Sequence, residues 1–109
     1  MNWYKTAKKI YTKEEMISLG ASGYLDYAIL QKIPVEKIEG REPTPSASEG
    51  DPYEKGRKIL VPVEVSYNRL VGTYILWSGN HRVHQAEVNG DDTITAFVGC
   101  DRKGILQSN

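Results

Sequence analysis

The densest chemistry in the chain lies in five consecutive residues, Ser78, Gly79, Asn80, His81 and Arg82. The apolar run Thr73–Trp77 precedes them and a helix-patterned run from His81 to about Val88 follows. A helix N-terminus offers unpaired backbone N–H groups and about half a positive charge, so a strand–loop–helix junction of this kind attracts phosphate. Gly79 has no Cβ to hold a ligand away from the backbone. Asn80 reads as the N-cap. Arg82 can grip a phosphate with a fork of donors, and His81 adds a further ring N–H donor. The bland alternative is that Asn80 only caps the helix, His81 is a surface residue and Arg82 pairs with a carboxylate. His84 sits three residues beyond His81, but two histidines without a third strong ligand imply no metal site.

Phosphoryl chemistry needs a general base or a metal besides a cradle. The candidate carboxylates are Glu36, Glu39 and Glu42, which follow the apolar segment Ile33–Ile38. Arg41 is the second cation that could clamp a phosphate. Each glutamate reads equally well as a solvated loop carboxylate.

The elements that must position these residues are clearest after residue 57. Ile59, Val61, Val63, Val65 and Tyr67 alternate along one strand face over Lys58–Tyr67, Asn68–Gly72 carries turn chemistry, and Thr73–Trp77 returns as a hairpin partner. The helix from His81 closes at Asn89-Gly90, and Asp91-Asp92 turns into a last strand, Thr93–Val98. In the first half, Thr12 and Glu15 form a capping-box pair that starts a helix running to about Leu19 and stopping at Gly20. Leu25, Ala28 and Ile29 share a face at helical spacing, which predicts a second helix over Tyr24–Gln31. Ile33–Ile38 reads as a short strand, with Pro34 at its first residue or on an edge.

Two segments stand apart. Residues 3–13 interleave Lys5, Lys8, Lys9 and Lys13 with Trp3, Tyr4, Ile10 and Tyr11, either a helix docking its aromatic face or an arm that contacts nucleic acid or phosphate. Glu39–Gly56 holds Pro43, Pro45 and Pro52 among glycines, serines and charges. It is expected to be a mobile loop that closes over Gly79–Arg82 when ligand binds, with Arg41 reaching inward.

The chain's 109 residues are enough for one domain with one ordinary core. Fourteen Lys+Arg balance fourteen Asp+Glu, so overall charge does not hold the chain on nucleic acid or anionic lipid. Local basic patches still admit nucleic acid as a partner. The lone Cys100 excludes an internal disulfide and a cysteine-based zinc cage. The start has no long apolar run, so neither a signal peptide nor a membrane anchor is expected, and the location expected is cytoplasmic.

The stretch Val61–Val65, the hairpin, Gly72–Gly90 and Thr93–Val98 resemble the ParB/sulfiredoxin superfamily. Its members share a Pro-Val/Ile-x-Val strand, a hairpin return, a Gly-x-His-Arg or Gly-x-Arg-Arg loop, a helix with an Ala, and an Ile-Pro-Ala-x-Val-like last strand. Ile33–Ile38 resembles their first strand, Ile-Pro-Leu-x-x-Ile. The resemblance covers roughly residues 33–98, with the proline-rich loop where relatives usually carry a helix. It implies a small single α/β domain over residues 1–109. That domain would have a mixed sheet, a ParB/sulfiredoxin-like core and an N-terminal helical segment over 1–31.

The resemblance also implies that Gly79, Asn80, His81 and Arg82 hold a phosphate-bearing ligand such as ATP, ADP or CTP, with Mg as its companion ion. Family chemistry ranges over partition proteins that bind CTP, nucleases, sulfinic-acid reductases and free-serine kinases. Asn80 stands where a sulfiredoxin has its catalytic Cys, and Ser78 stands where kinase-like members have Asp. Eleven residues follow Val98, so the helix-turn-helix domain of a segregation factor is not expected. Two functions remain open. One is nuclease, hydrolase or phosphotransferase chemistry by His81 and Arg82 with help from Glu36, Glu39 or Glu42. The other is a non-catalytic nucleotide- or DNA-binding adaptor that retains the phosphate pocket.

Overall fold

A computed structural model of the protein describes residues 9–42 and 54–107. Among the described residues, six strands and two α-helices follow one another as β1 (Ile10–Thr12), α1 (Lys13–Ser18), β2 (Tyr27–Pro34), β3 (Ile38–Glu39), β4 (Val63–Asn68), β5 (Thr73–Ser78), α2 (Asn80–Asn89) and β6 (Thr93–Gly99), with one 3-10 turn at Val35–Lys37. The strands form one mixed sheet in the order β1-β2-β6-β4-β5-β3. β4 runs parallel to β6, and β3 parallel to β5; the other neighbours are antiparallel.

Alternation along the strands sends side chains to two unequal layers. Ile29, Ile33, Val63, Val65, Leu76, Ile94, Ala96 and Val98 face α2, which contributes Val83 and Ala86 to this larger core. The opposite face is smaller: Ala28 and Phe97 pack with Met16 of α1 and with Ala21. Tyr11 meets Phe97 edge-on at 5.3 Å between ring centres.

The expected α1 is present with its capping box: the Glu15 N–H donates to Thr12 Oγ1 at 3.3 Å, and the Thr12 N–H donates to Glu15 Oε1 at 3.1 Å. The helix expected over Tyr24–Gln31 is not formed, and β2 occupies most of that stretch. Ala28 and Ile29 are both buried, one under α1 and one under α2, so two successive residues are apolar for different layers. That pattern mimics helical spacing. The N-terminal portion is therefore one short helix between two strands rather than a helical segment, and Ile10 belongs to β1. Residues 1–8 of the basic arm lie outside the described residues.

The strand expected over Ile33–Ile38 is interrupted. Pro34 closes β2, the chain turns at Val35–Lys37, and only Ile38 and Glu39 resume a strand, beside Tyr74 and Ile75. The strand expected from Lys58 starts at Val63. Pro62 cannot donate to a ladder, and the carbonyls of Val61 and Pro62 are engaged by Arg82. The hairpin turn, β5, α2 and β6 fall where the sequence puts them, within a residue or two.

Candidate functional site

β5 ends at Ser78 and α2 begins two residues later. Gly79 makes the corner at φ 117°, and a Cβ there would lie 2.5 Å from Val63 Cγ1, so only glycine fits. Gly79, not Asn80, is the N-cap, and no side chain caps the helix. Asn80 is the first helical residue, and its Oδ1 accepts the Glu42 N–H at 3.1 Å. It therefore ties down the segment after β3 instead of closing its own helix.

Arg82 also departs from the expected role. Its guanidinium turns back toward the sheet, donating to Pro62 O at 3.0 Å, Val61 O at 3.3 Å and Ser78 Oγ at 3.4 Å. Burial pushes its pKa below the usual guanidinium value, opposed by the nearby Glu64 carboxylate. The donors expected to fork around a phosphate are largely committed to the chain's own carbonyls. Arg82 holds the 61–62 segment against the start of α2.

Glu64 is the charged residue that sequence reasoning passed over. It is fully buried, and its carboxylate accepts three backbone N–H groups, from Ser22 at 3.0 Å and from Gly23 and Tyr24 at 3.2 Å each. The loop that supplies those donors is bound a second time, where the Ser22 and Ser78 hydroxyls meet at 2.9 Å. In the sequence Glu64 occupies an outward position of an alternating strand. Only the loop folded over it makes it interior.

Arg41 does not reach the first turn of α2. Its guanidinium pairs in two parallel bonds of 2.7 and 2.5 Å with Glu87, six residues beyond His81, or about 9 Å along the helix. The pairing draws the Glu87 carboxyl below, and raises the Arg41 guanidinium above, their ordinary values. Glu36 lines a separate depression with Glu87, Asp91 and Asp92. Glu39 is exposed on β3, and the backbone of Glu42 rests on Asn80. The three glutamates are thus not gathered with His81 and Arg82 at one cavity. Among the described residues, no group of three or more His, Cys, Asp or Glu could hold a metal ion. The lid expected over 39–56 falls mostly on residues 43–53, outside the described residues.

The residues brought together at the start of α2 are different ones. A groove of about 450 Å³ has an apolar floor of Ile59, Leu60 and Val61 and a rim of Arg57, Lys58, His81 and Arg82. The strap carrying Arg57 and Lys58 is fastened to α2 by side-chain amides. Gln85 Nε2 donates to Glu54 O at 2.8 Å, Asn89 Nδ2 to Arg57 O at 2.9 Å, and the Gly56 N–H to Asn89 Oδ1 at 2.7 Å. No carboxylate lines this groove among the described residues. The signal in the sequence was the pair Arg57-Lys58 just before an apolar run, which has no spacing relation to His81 that would have linked them.

No family model matches the chain, and no curated protein matches it. Among the described residues, no helix is long and apolar enough to cross a membrane.

Proposed function

We propose that this chain is a ParB/sulfiredoxin-like domain that binds a phosphate-bearing ligand, a nucleotide, in the groove between residues 57–61 and the first turn of α2. The order β4-β5-α2-β6, with a glycine corner before Asn80-His81-Arg82, supports the family reading. The observation that carries the ligand reading is the groove itself. Arg57, Lys58 and His81 rim it beside the internally bonded Arg82, no carboxylate is among its described lining residues, and Ile59–Val61 offer an apolar floor to an uncharged part of the same ligand. Binding without turnover fits best, because Glu36 lies at another depression and Glu64 is sequestered by backbone donors.

Calorimetric titration with ATP, ADP and CTP, with and without magnesium, tests this. Arg57→Ala with Lys58→Ala is expected to weaken binding at least about tenfold, the lower end of the loss for charge-assisted hydrogen bonds. Equal affinity in wild type and variant, or no binding of any of the three, sinks the site. Turnover of a nucleotide by the wild type would instead favour the catalytic reading of His81.

A further inference from the structure

A second cavity opens on the face of the sheet opposite α2. Ser66, Trp77 and Gly99 alternate with Val65, Leu76 and Val98 of the larger core, so strand geometry turns them to the other side. With Tyr24, Tyr27 and the 100–102 segment they line a volume of about 460 Å³, within the range of small-molecule sites. Among the described residues only two aromatic side chains stay exposed, Tyr24 at 62% and Trp77 at 47%, and both line this one cavity. Neither position is loose. The Trp77 indole N–H donates to Ser66 Oγ at 3.0 Å, and the Tyr24 backbone N–H donates to the buried Glu64 carboxylate at 3.2 Å. Large rings held in water at a concave site leave apolar area for a ligand to cover.

Electrostatics select the sign of that ligand. Aromatic faces carry negative potential and attract cations. One cation already uses a ring here: the Arg102 guanidinium lies over Tyr27, 5.8 Å from its centre, and Arg102 Nε donates to Tyr27 Oη at 3.1 Å. Two carboxylates, Asp26 and Asp101, also line the cavity. Lys13 offsets Asp26 at 3.1 Å, whereas the partners of Asp101 are neutral. The N–H groups of Ile105 and Lys103 donate to it and hold its carboxyl below the ordinary value, so it stays ionised. An anion is disfavoured.

The same hydrogen bonds narrow the chemistry further. Asp26 Oδ1 accepts from Lys13, Asp101 Oδ1 from two backbone amides and Ser66 Oγ from the Trp77 indole. A ligand that needs acceptors for its own N–H groups finds these taken. A fully methylated ammonium needs none, because its charge is spread over methyl groups that pack on ring faces.

Independently of the basic groove, we propose that this cavity binds a small quaternary ammonium compound, its methylated head on Trp77 and Tyr24 and its charge balanced by Asp101. Choline is the probe. The chain has two tryptophans, so Trp3→Phe leaves Trp77 as the sole one. This protein is titrated with choline, with the uncharged isostere in which carbon replaces the nitrogen, and with ethanolamine, which keeps the charge but lacks the methyl groups. Choline is expected to change Trp77 emission saturably and to bind at least about fivefold more tightly than either analogue. By calorimetry, Trp77→Leu is expected to weaken choline by about 2- to 30-fold, the contribution of one ring to a bound cation. Trp77→Phe loses the same indole hydrogen bond but keeps a ring, and should retain part of the affinity. Tyr24→Leu serves as a second variant should the Trp77 variants fail to fold. An isostere that binds as tightly as choline, or equal losses in Trp77→Leu and Trp77→Phe, would reduce the site to an apolar surface and overturn the proposal. Ethanolamine binding as tightly as choline overturns the methylated class, and no saturation below about 10 mM choline overturns the site.

Discussion

Glu64→Gln isolates the contribution of one buried charge. The side chain keeps its shape, but one oxygen becomes an NH2 group. That group then faces either the Ser22 N–H or the N–H groups of Gly23 and Tyr24, all now within 3.0–3.2 Å of an oxygen. Donor meets donor, and at least one amide loses its acceptor. A hydrogen bond to a charged group contributes about 1.5–3 kcal/mol, and three simple sums would overcount because the donors share one carboxylate. Breaking one side of a buried charged arrangement costs about 3–5 kcal/mol, which is the better guide. A domain of this size has about 5–15 kcal/mol in total, so the variant should fold but weakly. At about 4–8 °C per kcal/mol, Tm should fall by more than roughly 12 °C. Urea unfolding followed by circular dichroism measures the loss directly. A difference below about 1 kcal/mol would refute the claim that this carboxylate anchors the 22–24 loop.

Gly79→Ala should be among the most damaging single changes, costing roughly 2–5 kcal/mol from positive φ and the contact with Val63, and chemical denaturation reads it out. Glu87→Gln should cost at most about 1 kcal/mol at pH 7, because both partners are partly solvated. The Glu87 carboxyl is depressed in the folded state, so its contribution is present above the ordinary carboxylate value of 4.5 and fades as pH falls through the lower folded value. Wild type and variant should therefore converge in acid-unfolding curves below that range, and a gap that widens there would contradict the ion pair. Cys100 is buried and burial pushes its thiol pKa up, so a thiol reagent should label it only at the rate of unfolding.

The second half of the fold was legible because turn residues bound its elements and its apolar runs alternate at the start, although β4 and β6 also bury consecutive residues. Val63 and Val65 point to α2, the turn after Asn68 is followed by glycine, and Gly90 closes α2 at positive φ. The first half was misread where β2 lies between two helices and buries consecutive residues, which destroys the period of two. The candidate site divides in the same way. Gly79 was recognised from its place between strand and helix. The inward turn of Arg82 depends on carbonyls at positions 61 and 62, and the partner of Arg41 lies 46 residues away, so neither is written in local spacing. Glu64 was hidden because its donors are backbone amides, which no residue type advertises.

The position of β6 has a consequence for how the chain acquires its shape. This strand is last in sequence yet lies inside the sheet, joined to β2 on one side and β4 on the other. Before it arrives, the β4–β5 hairpin can close locally, but β2 has no partner on its inner edge and Phe97 is missing from the smaller core. Pairings between residues 28–34 and 93–99 must close a long loop, which slows folding and raises contact order. During synthesis, most of the chain must therefore emerge before either face of the sheet is complete, and β2 stays open to wrong pairings until then. The small core under α1, built by Met16, Ala21 and Ala28, is completed only when Phe97 of this final strand arrives.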